Sequence, residues 1–576
     1  MMNKESVSAM TFQPDRHSVP VWLKLCLVFG FLCASSLMGA KLSNDLPGPS
    51  SGGQVDVIVQ FMAPPGLDDF DQIARAGGNL KKKFPALYGA LMTLPVAALQ
   101  GIANNPRVRY ISPDRKVKGT LEFAQTTIGA NIAQQYGWTG AGVGVAIIDS
   151  GIATNHPDLG AQGLLGRVAY SENFVEGENT TNDVYGHGTH VAGIVGGDGS
   201  ASTGPSSIYT FRGIAPSSTL INLRALDSNG QGTDSAVIGA IERAIELKNY
   251  YGIHVVNLSL GRTIQESHTL DPLCQAVAQA WAAGLVVVVA AGNNGRDNSM
   301  GTSGYGTVTS PANSPYAITV GAMKDMSSTS RTDDLIASYS SKGPTLLDQV
   351  VKPDLVAPGN SIVSAMSPGS ALAQLYPGNI VPETYYKSNG DPNVAGTYMR
   401  LSGTSMAAPM VSGAAALLLQ RQPWLTPDQV KARLMKTATK NFPSNSVATD
   451  PGTGMTYTST YDVFTVGAGY LDVWAALNNA DTATGSAMSP SAVYDSVTGA
   501  ASLALTQDSV WQNAVVWGTA VVWGTNVIVN GQCVVWGTAV VWGTNASSGF
   551  AVVWGTAVVW GTSQPFSEST NIWGDQ

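Results

Sequence analysis

Charge is scarce in this sequence. Only 12% of its 576 residues are Asp, Glu, Lys or Arg, about half the usual share of roughly 25%. The surface must therefore draw its solubility from Ser, Thr, Asn and Gly. The formal net charge is −8, and no basic cluster is large enough to suggest a nucleic-acid footprint. Cysteine is also sparse. Four occur, at Cys26, Cys33, Cys274 and Cys533, and no pair has metal-ligand spacing, so neither a disulfide scaffold nor a cysteine metal site is expected. Nor is there a long apolar run. Leu25 to Ala40 carries no charge, but it falls short of the roughly 20 apolar residues a membrane-spanning helix needs. A chain of this length exceeds one ordinary core, so two or three domains are expected.

Residues 1–40 combine scattered Lys4, Arg16 and Lys24, the short apolar run and small residues at Ala34-Ser35-Ser36 or Gly39-Ala40. That pattern fits a secretory signal peptide, with an uncleaved anchor as the alternative. Residues 41–123 begin with a Pro/Gly/Ser linker to 54. Strand-like Val55 to Phe61, helical Leu67 to Ala76, strand-like Leu87 to Leu94, helical Val96 to Ala103 and strand-like Arg107 to Ile111 follow. We read this as a small α+β domain of split-βαβ order, β-α-β-β-α-β. With Lys81-Lys82-Lys83 and Arg115-Lys116-Val117-Lys118, the block has ten basic and seven acidic groups, +3, against 18 and 30, −12, for residues 124–576. A mildly basic module ahead of an acidic body suits an intramolecular partner; a solvated face accounts for it equally well.

From about Ala124 to 480, apolar runs alternate with helical stretches. Val143 to Ile148, His254 to Leu258 and Leu285 to Val289 read as buried strands, and Ser235 to Tyr250 and Pro272 to Ala283 as helices. Unbroken β-branched strands separated by helices predict an α/β fold, a doubly wound, mainly parallel sheet. Ligands bind outside the carboxyl ends of such strands, where Asp149 and the Ala290-Ala291-Gly292-Asn293 turn fall.

Three loops carry residues that chemistry needs. Asp149-Ser150-Gly151 follows a strand. Gly186-His187-Gly188-Thr189-His190-Val191-Ala192-Gly193 joins a histidine to glycines and runs into a helix. Ser402-Gly403-Thr404-Ser405-Met406-Ala407-Ala408-Pro409 sets a serine just before a helix predicted over Met410 to Leu419. Ser405 could merely cap that helix. As a nucleophile it needs a base, usually histidine, and that histidine needs a carboxylate. Asp149, His187 and Ser405 supply all three, in the chain order Asp, His, Ser.

On these motifs the chain resembles the subtilisin-like serine peptidases (subtilases) over roughly residues 124–480. The resemblance implies that Asp149 orients, His187 acts as general base and Ser405 as nucleophile. Asn293, in Ala291-Gly292-Asn293-Asn294-Gly295, matches the oxyanion-hole asparagine. Ser259-Leu260-Gly261 matches the segment that pairs with extended peptide substrate. Residues 41–123 then resemble an inhibitory propeptide, a folding aid and intramolecular inhibitor, with processing expected between Val117 and Gln125. Protein or peptide substrates are implied, and no cofactor is required. A structural calcium is not readable from the sequence, since Gly196 to Phe211 lacks the Asn-rich loop that binds it in many relatives. His190 after His187 could pair on a metal, but no third ligand follows, so no metal site is assigned. His156 is read as shaping a loop, and Asn294 as a turn residue. Met410 stands where many relatives carry a second histidine. Ser361 to Arg400 is an insertion ahead of the serine loop. Thr309 falls where many relatives have a glycine lining the main specificity pocket, which implies a narrower pocket.

Residues 481–576 shift to Ser/Thr/Ala-rich sequence and then to six copies of Val-Val-Trp-Gly-Thr, beginning at Val515, Val521, Val534, Val540, Val552 and Val558. With no charge between Asp508 and Glu568, this β repeat must stack on itself, on the protease or on a cell surface. The chain therefore reads as a secreted, self-processed serine endopeptidase. The alternative is a surface-assembly or adhesion protein whose protease domain acts only on itself.

Overall fold

A computed structural model describes residues 41–43, 46–47, 52–114, 116–119, 127–160, 167–299, 301–326, 330–443, 445–450, 453–495, 500–505 and 508–510, and short backbone segments at 528–529 and 532–533. The signal-peptide segment and the six repeat copies lie outside the described residues. So does most of the window expected for processing. Within the tail, only an antiparallel pairing of Ile528–Val529 with Gln532–Cys533 is described.

The N-terminal module runs β1 (Gln54–Phe61), α1 (Leu67–Arg75), β2 (Asn79–Phe84), β3 (Gly89–Pro95), α2 (Leu99–Ala103) and β4 (Val108–Pro113). The four strands form one antiparallel sheet in the order β2-β3-β1-β4. One strand sits where the sequence offered only a lysine run. β2 is largely exposed, and a solvated edge lacks the apolar alternation that betrays a strand. The module keeps its own core of Val57, Val59, Phe61, Ile73, Met92, Leu94 and Ile102. Ile58, Phe84, Leu87 and Leu91 point the other way, into the main core of the protein.

The main body is a mostly parallel sheet with both faces covered. β6 (Gly144–Asp149), β7 (Val168–Asn173), β8 (Thr219–Arg224), β10 (Ile253–Leu258), β12 (Val286–Ala290), β13 (Ile318–Lys324) and β15 (Leu355–Pro358) run parallel in the order β7-β8-β6-β10-β12-β13-β15. A short β14 (Leu335–Ile336) adds antiparallel to β13. β6 and β12 are buried along their whole length, which accounts for unbroken Val, Ile and Ala where a half-exposed strand would alternate. On one face α4 (Asp234–Tyr251) packs with α5 (Pro272–Ala282). On the other α3 (His187–Gly196) packs with α6 (Thr404–Arg421).

Between module and body lies a third small sheet. β5 (Lys116–Gly119) is its middle strand, antiparallel to β9 (Gln231–Thr233) on one side and β11 (Leu260–Gly261) on the other. Asp114, just before β5, accepts hydrogen bonds from the Ser235 N–H at 2.8 Å and the Ser235 hydroxyl at 2.6 Å, at the first turn of α4. Burial pushes this carboxyl up to about 7. Gln60 donates to the Leu270 carbonyl and Arg109 to the Thr269 carbonyl, so the module also grips the loop ahead of α5.

Two expectations need correction. The helix near the serine begins at Thr404, so Ser405 lies inside its first turn rather than ahead of it. Pro409 lies within the helix, past the first-turn N–H groups that lack intrahelical acceptors, and the Ser405 carbonyl it leaves without an i→i−4 donor accepts the Ser259 hydroxyl at 2.7 Å instead. The boundary at 480 does not match the edge of packing, because Ala483, Ala487 and Val510 are buried in the main core. Small alanines made this stretch look like linker, yet they fit against a packed surface as readily as into a loop. The insertion forms its own sheet of β16 (Ile362–Ala365), β17 (Ile380–Val381) and β18 (Tyr398–Leu401). It is fastened to the body where the Tyr398 hydroxyl donates to Asp158 at 2.7 Å.

Candidate active site

Asp149 ends β6, at the carboxyl edge of the sheet where an open α/β fold binds ligands. Its Oδ1 accepts the Ser150 N–H at 2.7 Å and lies 2.7 Å from His187 Nδ1, with both side chains fully buried. A carboxylate on Nδ1 makes that nitrogen the donor and leaves Nε2 as the basic atom. The two elements approach closely because residue 188 has no side chain. A Cβ at Gly188 would sit 2.2 Å from the Gly151 carbonyl oxygen and 3.1 Å from the Asp149 Cβ.

A second carboxylate braces this contact. Asp183 Oδ1 accepts the Ser150 hydroxyl at 2.8 Å and the Gly186 N–H at 2.7 Å, and its Oδ2 accepts the Thr189 N–H at 2.8 Å. Ser150 Oγ in turn accepts the Gly188 N–H at 2.9 Å. One buried side chain thus ties the turn after Asp149 to the first turn of the helix bearing His187. Burial pushes the Asp183 carboxyl up, while the Thr189 and Gly186 hydrogen bonds oppose that rise.

Ser405 comes from the start of α6, where the helix dipole and first-turn N–H groups favour negative charge. Its hydroxyl donates to the Ser259 carbonyl at 3.3 Å, and the Ser259 hydroxyl donates to the Ser405 carbonyl at 2.7 Å. Ser259 is held by Asn257 at 3.0 Å, and Asn257 by the Ser412 hydroxyl at 2.8 Å. The nucleophile candidate is therefore locked to the segment that leads into β11. Asn293 is oriented from the same helix. Its Oδ1 accepts both the Thr404 N–H at 3.0 Å and the Thr404 hydroxyl at 3.1 Å. Because the backbone N–H can only donate, the amide is fixed with Nδ2 as the remaining donor.

The sequence-derived residues thus fall at one edge of the sheet. Asp149 and His187 are in contact, Ser405 abuts Ser259, and Asn293 is aimed from Thr404. Leu260 and Gly261 form β11, already paired with β5. Ser150, Asp183, Thr404 and Asn257 were not singled out from the sequence. Asp183 left a faint trace there, as an acidic residue just ahead of a helix start; the others are ordinary polar residues until their partners are known. His190 faces away from the site, with Nε2 at 3.2 Å from the Met399 carbonyl and 3.3 Å from that of Ile362. Burial drives its pKa down to about 3, so it serves as a neutral bridge to the insertion. His156 binds the Thr397 carbonyl and the Asp158 N–H at 2.8 and 3.1 Å, a loop-shaping role as expected. Among the described residues no group of three or more His, Cys, Asp or Glu side chains could hold a metal ion.

Residues 140–455 match the model of the subtilase family. The chain belongs to that family. As a subtilase it is a serine protease. It is 37% identical over 372 residues to the serine protease AprX of Bacillus subtilis, covering 63% of this chain and 77% of that protein. With subtilisin E of the same organism it shares 35% identity over 433 residues, 73% of this chain and 94% of the relative. Among solved structures it is similar in fold to fervidolysin from Fervidobacterium pennivorans, described as a keratinolytic enzyme related to subtilisin. That match has a TM-score of 0.55 at 21% identity and covers 80% of this chain and 66% of the other.

Proposed function

We propose that this subtilase hydrolyses internal peptide bonds of protein substrates with Asp149, His187 and Ser405 as its triad. The carrying observation is the buried 2.7 Å contact of His187 Nδ1 with Asp149. It fixes the tautomer in which Nε2 can take the Ser405 proton and stabilises the imidazolium that results. Ser405 Oγ attacks the substrate carbonyl. The oxyanion gathers at the start of α6 and at Asn293 Nδ2, and His187 returns the proton to the leaving amine. Water then releases the acyl group by the same steps in reverse. No metal or cofactor is required by this chemistry.

The substrate enters as a strand between β9 and β11, using the Ser259-Leu260-Gly261 edge. We read residues 41–123 as an inhibitory propeptide, supported by β5 filling that cleft in backbone register and by the module's grip on α4 and on the loop before α5. Residues 1–40 are read as an export signal and the Trp-rich tail as a surface or self-association element. No helix among the described residues is long and apolar enough to cross a membrane. A serine-directed fluorophosphonate should label the mature protein but not Ser405→Ala, and casein should be turned over. Labelling without turnover in trans would favour a protease domain that acts only on itself.

A further inference from the structure

Strands β9 and β11 each run into a charged residue, and the two charges meet. Asp234 follows Thr233, the last residue of β9, and Arg262 follows Gly261, the last of β11. Both strands run antiparallel to β5, which lies between them. They are therefore parallel to each other and stand two strand spacings apart, roughly 9.5 Å. Arg262 bridges that gap. Its Nε donates to Asp234 Oδ1 and its Nη2 to Asp234 Oδ2, both at 2.9 Å, the planar two-bond fork of a guanidinium on a carboxylate. Nη2 also donates to both oxygens of Asp271 at 3.0 Å.

All three side chains are buried, Arg262 at 6% exposure and both aspartates at 0%. One cation facing two carboxylates is tolerable there because each carboxylate sits at a helix start. Asp234 lies in the first turn of α4, and Asp271 caps α5, accepting the Leu273 N–H at 2.9 Å. The positive ends of the two helices offset the extra negative charge. The same arginine is tied to the slot beside the nucleophile. Its N–H donates to the Ser310 carbonyl at 2.9 Å, the Ser310 N–H returns a bond to the Arg262 carbonyl at 2.8 Å, and the Ser310 hydroxyl donates to Asp271 at 2.8 Å. Ser310 adjoins Thr309, whose Oγ1 would lie 2.5 Å from a Cβ added to Gly261. Buried ion pairs are often no more stabilising than apolar side chains of the same volume. What this fork supplies is a fixed distance and direction between β9, β11 and the Thr309 segment.

We propose that Arg262, gripped by Asp234 and Asp271, is a positioning residue that sets the width of the substrate cleft. This rests on reading β9 and β11 as the walls that receive the substrate strand. Arg262 touches no reacting atom. Its influence grows with the length of substrate lying between the walls. A long peptide must meet Gln231–Thr233 and Leu260–Gly261 at once, whereas an ester of one acylated amino acid meets Ser405 and leaves most of both walls empty.

The test compares a tetrapeptide anilide with a single-residue ester that carries the same residue before the scissile bond. Full-length chains with Arg262→Lys, Arg262→Met and the pair Arg262→Met with Asp234→Leu are expressed, and competent sites are counted with the fluorophosphonate. The ratio of kcat/KM for peptide over ester, per labelled site, should fall roughly 10- to 100-fold in Arg262→Met, with the loss carried mainly by KM. Arg262→Lys keeps the charge without the fork and should show a smaller fall. The double variant removes both charges, which relieves the stranded carboxylate, yet its ratio should stay low because no clamp remains. A native ratio in the double variant, or in Arg262→Met, would overturn the proposal and leave Arg262 a structural residue. A native enzyme that does not favour the peptide over the ester would instead overturn the reading of β9 and β11 as substrate walls.

Discussion

Asp183 accepts the Ser150 hydroxyl at 2.8 Å, a bond that, beside the Gly188 N–H on Ser150 Oγ at 2.9 Å, couples the loop leading to His187 to the turn carrying Asp149. Asp183→Asn keeps the shape but replaces one acceptor oxygen with a donor that faces N–H groups. We expect kcat to fall roughly 10- to 100-fold with KM nearly unchanged, because a loosened base costs the transition state and not the bound substrate. Stability should drop by about 1–3 kcal/mol from the unsatisfied buried groups. Steady-state kinetics beside denaturant unfolding of the Ser405→Ala background separates the two effects. An unchanged kcat in a destabilised protein would reduce Asp183 to a purely structural role.

Asn293 should matter only while charge develops on the substrate oxygen. Asn293→Leu is expected to lower kcat by about 10²–10³, the size known for this donor in subtilisin and not one derived for this chain. Since Thr404 holds the amide from the other end, Thr404→Val should produce a smaller loss in the same direction. Peptide hydrolysis under saturating substrate reads both. Equal losses in KM and kcat would count against an oxyanion role.

Thr309 sets the third expectation. With its side chain against Gly261 and Gly292, the native enzyme should prefer small residues before the scissile bond. Thr309→Gly should raise kcat/KM for a phenylalanyl substrate by roughly 10- to 100-fold. A peptide library profiled on both forms decides it. If large aromatic residues are already best for the native enzyme, the narrow-pocket reading is wrong.

The fourth concerns a buried ionic group behind the site. Lys352 and Lys431 share Asp354, with Lys352 Nζ at 2.7 Å from Oδ2 and Lys431 Nζ at 3.1 Å from Oδ1, all buried. Burial lowers the Lys352 pKa to about 7, its contact with Asp354 opposing the shift. A lysine whose folded pKa lies below its unfolded value binds fewer protons when folded. Its contribution to stability is therefore lowest below pH 7 and rises as pH climbs from about 7 toward 10.5. Asp354→Asn should cost about 3–5 kcal/mol by stranding two cations. Lys352→Met leaves a one-to-one pair and should cost much less, while flattening that rise. Denaturant titrations of the Ser405→Ala forms across pH 6–10 would reveal a reversed order of costs, if there is one.

How much of this could be read from the chain depended on what each residue needs to be recognised. Val143 to Ile148 and Leu285 to Val289 announced themselves because strands buried on both faces tolerate only apolar side chains. Asn79 to Phe84 did not, because an exposed edge strand is free to carry lysines. Asp149, His187 and Ser405 stood out as candidates because glycines and small residues flank each of them, Asp149 at the end of a strand and the other two in the first turns of helices. Asp183, Thr404 and Asn257 each also need a partner 33 to 155 positions away, and apart from an acidic residue ahead of a helix start nothing local marks them. The register of β5 against β11 is likewise a property of two segments and not of either one.

The small sheet of β5, β9 and β11 has a consequence for what this protease can digest. If residues 41–123 leave as the proposed propeptide, the departure of the middle strand would open a gap with backbone donors and acceptors on both walls. Any occupant must give up every hydrogen bond of its own along that stretch before it fits. Helices and sheets in a folded protein cannot do so without opening first. The rate at which a native protein is cut should therefore follow how often its chain comes locally undone, making the enzyme a reader of substrate stability before it is a reader of substrate sequence.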